Sequence, residues 1–339
     1  MGTTTSMPRP WPTEPRGSTD PATRMAWYAA VARWAPSKHN TQPWRFVVRG
    51  DTLDVWADPI RLLTATDPHR REVTLSCGAA VEIACVAARA HGYEAAATFQ
   101  PDGAGGPLAR LVEVGTWDST EHDRALLAAV PRRRTDRGPL DADLAPSELR
   151  FDLQSAAQTC GVWFRLVSTP GDRATLASLV ERADRLLVRR AGVDDELAPW
   201  LREPGDTNAD GVPTDHTRGA AASYRAEFVQ RDFSSSTSLP AQDRPGRDAP
   251  IIGVLCTPGD RPPDWLLAGR ALAAMLLRAA AVGVHASYLN QPVEHVAIRA
   301  ELREHLGLPG VPQLVLRLGV GGEVTAPPRR DPDDVIFEL

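Results

Sequence analysis

Two Ala-rich apolar stretches end on related sequences, Ala87-Ala-Arg-Ala-His-Gly92 and Arg278-Ala-Ala-Ala-Val-Gly283. Each reads as the end of a long buried helix, closed by a glycine that tolerates the left-handed conformation a helix end needs. A second echo pairs Trp44-Arg-Phe-Val-Val48 with Trp163-Phe-Arg-Leu-Val167, both β-branched and aromatic. The strand segments lie 119 residues apart (44 to 163) and the helix ends 191 apart (92 to 283). Two related halves would therefore differ by about 72 residues inserted in the second, between its strand and its long helix. Ala-rich helices match one another by chance, so the helical echo alone does not establish a repeat.

Composition marks where the insertion falls. Residues 203–219 are full of turn formers and 232–250 are rich in Ser, Pro and Asp. Long polar loops in a compact domain are functional covers or linkers. The first half is expected over residues 21–120, with helix Met25–Trp34, strands Arg45–Arg49 and Leu53–Trp56, helix Val73–His91, and strands Ala95–Phe99 and Leu108–Val114. The second half, 121–339, has helix Asp123–Val130, strand Val162–Val167, helix Arg173–Arg190, a lid-like insertion at about 191–250, strand Ile251–Leu255, helix Trp265–Val282 and strand Pro312–Gly319. This order predicts an α+β fold with helices packed on one sheet per half. Residues 1–20 read as a disordered extension and not as a signal peptide.

Several classes are excluded. A formal charge of -5 over 339 residues argues against a nucleic-acid binder. Helix Trp265–Val282 carries Arg270 and Arg278, which reads as a buried helix and not as a membrane span. Cys77, Cys85, Cys160 and Cys256 form no CxxC pair, and neither they nor the eight histidines have metal spacing. A cytoplasmic protein with free thiols and no metal is expected. No GxSxG or Ser-His-Asp pattern supplies a nucleophile. Gly319-Val-Gly-Gly322 follows a strand, but a proline-rich tail follows it in place of the helix a dinucleotide loop requires.

Two segments carry chemistry. Ala35-Pro-Ser-Lys-His-Asn-Thr-Gln-Pro-Trp44 sets polar side chains, His39 among them, on a loop between helix and strand, where binding groups are commonly held. Pro131-Arg-Arg-Arg-Thr-Asp-Arg137 places four arginines in six residues beside a hydroxyl, which suits a phosphate monoester. An isolated cluster of this kind is more often a solvated basic turn; here it follows a helix and opens the second half. Arg329-Arg330 is a second basic pair, equally readable as exposed tail charge. A phosphate site without a nucleophile points to a bound cofactor that does the chemistry.

These segments resemble the nitroreductase family of FMN-binding flavoproteins. The first is similar to that family's P-S-x-x-N-x-Q-P-W loop and Arg133–Arg137 to its R-R-S-x-R motif. The nearest branch is the Acg type, in which two nitroreductase halves are fused as an internal pseudo-dimer, and the likeness spans residues 21–338. The resemblance implies one composite FMN site between the halves. Pro36, Ser37, Lys38 and Asn40 would face the flavin. Arg133, Arg134 and Thr135 would hold its phosphate and ribityl chain, Arg137 would lie near N1 and O2, and Arg330 would be the C-terminal phosphate ligand. Leu289, Asn290 and Gln291 fall where the family places its N5 loop, although Asn290-Gln291 replaces the frequent Glu-Gly. Neither half keeps both motifs, which implies one FMN per chain. The implied function is hydride transfer through the flavin between NAD(P)H or an organic substrate and an acceptor, in a monomer. The alternative is an FMN-storing protein whose insertion covers the flavin.

Overall fold

The structure is a computed structural model, and it describes residues 11–100, 103, 105–188, 192–203, 206–213, 227–228, 248–324 and 326–339. Helix α1 (Pro21–Ala32) starts on Asp20, whose carboxylate accepts from the Ala22 and Thr23 amides. A hairpin of β1 (Trp44–Arg49) and β2 (Thr52–Ala57) follows, then the long helix α2 (Arg71–Ala90), then β3 (Tyr93–Phe99) and β4 (Ala109–Thr116). The chain continues through α3 (Glu121–Ala129), α4 (Leu149–Thr159), β5 (Trp163–Leu166), α5 (Pro170–Val188) and α6 (Val193–Leu197). Two short strands, β6 (Leu201–Arg202) and β7 (Val212–Pro213), pair in parallel. Then come β8 (Ile251–Thr257), α7 (Pro262–Ala281), β9 (His285–Tyr288), α8 (Gln291–Glu294), α9 (Val296–His305), β10 (Val311–Gly319) and β11 (Ile336–Glu338).

Two sheets organise these elements, in the orders β11-β1-β2-β4-β3 and β5-β8-β10-β9. Neighbours within each are antiparallel, except that β11 joins β1 in parallel. Reading β5, β8, β9 and β10 against β1, β2, β3 and β4 gives the same strand order in both sheets. A long helix follows the second strand in each case, α2 in one and α7 in the other.

Those helices cross between the sheets, and glycines set the contact. A Cβ on Gly78 would lie 2.3 Å from the Leu266 carbonyl oxygen, and one on Gly269 would lie 2.0 Å from that of Leu75. The contact is reciprocal, and the offset of 191 residues that separates the helix ends also separates Gly78 from Gly269 and Leu75 from Leu266. Each core borrows from the other's helix. Leu266 and Leu277 of α7 pack with Trp44, Phe46 and Ile83, while Leu75 of α2 packs with Leu153, Met275 and Leu316. Among the described residues one helix, Arg71–Ala90, is long and apolar enough to cross a membrane, and it is buried inside the protein.

The α+β class is as expected, with three differences in detail. Residues 11–20, expected to be disordered with the rest of 1–20, are tied down: Trp11 packs on Trp34 at 5.6 Å between ring centres, and Glu14 bonds His91 Nδ1 at 2.8 Å. Residues 1–10 lie outside the described residues. The boundary at residue 120 is not a packing boundary, because Leu126 and Ala129 of α3 join the first core and β11 joins the first sheet. Helices α4, α6, α8 and α9 and strands β6, β7, β9 and β11 were not foreseen. The expected insertion at 191–250 is described over 192–203, 206–213, 227–228 and 248–250, and the rest of it lies outside the described residues.

Candidate functional site

One cavity collects most of the chemistry-bearing segments. Its wall is built from the loop after α1, the first turns of α2, the segment after α3, the β9–α8 connection, the C-terminal tail and residues 211–213. Pro36, Ser37, Lys38, His39 and Asn40 come from the first of these. That loop is wound tightly: His39, Asn40 and Gln42 hold φ of 49°, 53° and 48°. Non-glycine residues adopt this left-handed region only when their surroundings over-determine it. Here Ser37 Oγ accepts from the Gln42 amide at 2.9 Å, Asn40 Nδ2 donates to Pro328 O at 3.0 Å, and Arg329 donates to Asn40 Oδ1 at 3.0 Å.

The second wall is cationic. Arg133, Thr135 and Arg137 line the cavity, and backbone pairing of this segment with β9 fixes it, Asp136 N donating to Ala286 O at 2.9 Å. Arg133 is buried, and its Nε and Nη1 have no hydrogen-bond partner among the described residues. Burial depresses its pKa, with only Tyr288 opposing the trend. Arg329 also lines the cavity; it donates to the carbonyls of Trp34 (3.1 Å) and Pro328 (2.9 Å), and its Nε has no partner among the described residues. Its pKa falls well below the ordinary range, first through burial, then through repulsion from Arg133, Arg134 and Arg33. Buried cations that repel one another and have unpartnered N–H groups are costly unless an anion joins them. The donor set fits a phosphate monoester.

The cavity lining also carries carboxylates. Lys38 Nζ lies 3.0 Å from Glu72 Oε2 and 3.3 Å from Glu294 Oε1, so α2 and α8 share one ammonium across the cavity. Arg71 holds Glu72 Oε1 at 3.0 Å. Behind them Asp67 Oδ2 accepts from the Glu72 and Val73 amides, both at 3.0 Å, and so caps α2. Burial first, then the Glu72 charge, pushes the Asp67 carboxyl up to about 6.

From the β9–α8 connection, Ser287, Tyr288, Asn290 and Gln291 reach the cavity. Tyr288 bonds the Thr135 side chain, and burial raises its phenol pKa against the pull of Arg133 and Arg137. Asn290 Oδ1 accepts from Val315 N at 3.0 Å, and Gln291 Nε2 donates to Asp184 at 3.3 Å.

Residues 206–213 close the remaining side. Gly211, Val212 and Pro213 line the cavity. Asp210 bonds Arg202 at 2.5 Å and Arg61 at 2.7 Å; burial alone would raise its pKa, but these two cations outweigh it and hold it low. Glu196 of α6 accepts from Ala65 N, Thr66 N and Thr66 Oγ1 at 2.7, 2.8 and 2.7 Å. Residues 196 and 210 are thus fastened to the segment between β2 and α2.

Of the residues expected from sequence, the cavity brings together Pro36, Ser37, Lys38, Asn40, Arg133, Thr135, Arg137, Asn290 and Gln291. Three do not line it. Arg134 turns away to donate to Pro131 O at 2.6 Å and Arg133 O at 2.9 Å. Leu289 is fully buried in the core beside Val315. Arg330 pairs with Asp58 and donates to Asp334 O at 2.8 Å, and its neighbour Arg329 takes the cavity position. Glu72, Ser76, Glu294 and Ser287 were missed, since none stands in a recognisable motif; only the pairing of Lys38 with nearby acids could have suggested Glu72. No cysteine lines the cavity, and burial lifts Cys85 to about 11 and Cys160 and Cys256 to about 12. Among the described residues no three His, Cys, Asp or Glu side chains gather as a metal-holding group.

The chain is 32% identical over 308 residues to Rv3131 of Mycobacterium tuberculosis strain H37Rv, covering 89% of this chain and 88% of that protein, which bears a provisional NAD(P)H nitroreductase name. It is 30% identical over 313 residues to Acg of the same strain, similarly named, covering 90% and 92%. The chain belongs to the nitroreductase family, with Acg among its relatives. Rv3127 of that strain, which has no assigned activity, is 28% identical over 313 residues, covering 90% of each chain. A solved nitroreductase with bound FMN from Desulfitobacterium hafniense aligns with a TM-score of 0.40 and 15% identity, over 63% of this chain and 97% of that one. No protein-family model matches the chain.

Proposed function

We propose that the chain is an FMN-dependent oxidoreductase whose flavin passes a hydride between NAD(P)H or an organic substrate and a small acceptor such as a nitroaromatic or a quinone. The observation behind this reading is the buried Arg133 guanidinium, with two unpartnered nitrogens, set in one cavity wall with Arg329. These two arginines bind the phosphate, and Thr135 and Ser37 offer hydroxyls to the ribityl chain. Arg137 is the cation available to the pyrimidine edge, where negative charge grows on reduction. Arg330 and Arg134 support the wall from behind, Arg330 by fixing the tail and Arg134 by bonding the backbone of residues 131 and 133. When bound, the flavin supplies the hydride chemistry, and the chain supplies position, charge and exclusion of water.

The chain is read further as two fused nitroreductase halves acting as an internal pseudo-dimer. The shared strand order and the reciprocal glycine contact support this. A second reading, an FMN-storing protein with little turnover, is favoured by one observation: residues 211–213 lie on the cavity and are fastened there through Asp210. Anaerobic addition of NADPH or NADH to the flavin-loaded protein separates the two. Rapid bleaching supports the enzyme; slow bleaching with chemical reduction intact supports storage. Failure to take up FMN at all overturns both.

A further inference from the structure

Gln42 is fully buried and its amide touches three segments of chain at once. Its Oε1 accepts from the Arg330 backbone amide at 2.9 Å. Its Nε2 donates to the Ala209 carbonyl at 2.8 Å. Its own amide is held by Ser37 Oγ at 2.9 Å, inside the loop that lines the cavity. The first contact reaches the tail next to Arg329, at the cationic end. The second reaches residues 206–213, of which Gly211, Val212 and Pro213 line the cavity; Gly211 N donates to Asn40 O at 3.3 Å as a further link between loop and cover. A side chain in a left-handed backbone site, with both amide ends taken up, has one orientation in which all three segments are satisfied.

We infer that Gln42 is a positioning residue that couples occupancy of the phosphate end to closure of residues 206–213, and so sets how long the cofactor is retained. The inference rests on the FMN reading above. An anion drawn in by Arg133 and Arg329 orders the tail. The ordered tail fixes the Gln42 oxygen, which aims its N–H at Ala209 O and holds the cover down. The coupling is reciprocal, so a fastened cover also slows phosphate release. Gln42 itself does not line the cavity.

Gln42→Glu separates the two arms. A carboxylate still accepts from Arg330 N but repels the Ala209 carbonyl. In the full-length native protein, FMN should slow hydrogen–deuterium exchange of residues 206–213 and of 328–331, on the order of tenfold. In Gln42→Glu, protection at 206–213 should vanish while that at 328–331 stays, and FMN should dissociate on the order of tenfold faster. If the Glu variant does not fold, Gln42→Met, of equal length without an amide, should lose protection at 206–213 in the same way. FMN protection of 206–213 that survives in these variants overturns the coupling while leaving the cofactor reading intact. A native chain that binds no FMN overturns both.

Discussion

Arg133 is a buried cation with nitrogens that no group among the described residues accepts, and its effects on stability and on binding should have opposite signs. Arg133→Met removes an unpaired buried charge from the flavin-free protein, which should raise its Tm by about 2 °C. The same change should weaken FMN binding by about 2 kcal/mol, roughly thirtyfold, through loss of a charge-assisted contact. Arg134→Met should change FMN affinity about threefold or less, because that guanidinium is already bonded to Pro131 O and Arg133 O. Fluorescence titration with differential scanning calorimetry checks all three, and equal losses for the two variants would sink the assignment. Sequence singled out the arginine cluster, from which the cavity takes Arg133 and Arg137, but could not say which guanidinium faces the cavity. That depends on how the 3-10 turn Val130–Arg132 aims each side chain. The same limit explains the exchange of Arg330 for Arg329: adjacent residues in an extended tail point opposite ways, and only the position of Asp58 decides which one turns inward.

Helix α2 carries two consequences of its packing. Alanine at an interior glycine ordinarily stabilises a helix by about 1 kcal/mol. At Gly78 and Gly269 the added carbon would strike backbone of the partner helix at 2.3 and 2.0 Å. Each alanine variant should therefore lose about 2 kcal/mol or more, seen as a lower urea midpoint. The second consequence concerns Asp67 at the N-terminus of α2. Its carboxyl titrates at about 6 when folded against 3.8 as the ordinary value, so the folded state binds more protons between those limits. Stability from this group is therefore greatest below pH 3.8 and declines as pH rises toward about 6. Asp67→Asn keeps an oxygen for the Glu72 and Val73 amides and should flatten that slope in a Tm-against-pH series. At this scale much was legible. Periodicity and end signals located α2 and α7, and the 191-residue offset in their ends recurs in the contact between them. Strand β11 has three residues and α8 four, too short for any periodicity, and both exist because of tertiary pairing. The contacts of Lys38 with Glu72 and Glu294 were hidden for a related reason: the acids lie 34 and 256 residues away, and only the packing of the loop after α1 against the start of α2 and against α8 joins them.

Across the whole molecule, the two sheets share an order, but on the proposed reading of two fused halves these do not share a site. In the position corresponding to the loop after α1, the second half has only a tight turn, Gly161 N donating to Gln158 O at 2.8 Å before β5 begins. In the position corresponding to Arg133–Arg137, the first half has the segment before α1, where Arg16 is exposed and paired with Glu14. A second cavity, related to the first by the proposed pseudo-symmetry, would lack a buried arginine on one wall and a polar loop on the other. The insertion, too, is present once. On the proposed reading the family's two-subunit arrangement is contained in one chain, and only one of its two clefts retains the parts that recognise a phosphate. The loaded protein should therefore run as a single chain in light scattering and carry one FMN per chain, measured by flavin absorbance against amino-acid analysis. Two flavins per chain would mean that the second cleft binds without arginines, and the phosphate-based account of the first would fall with it.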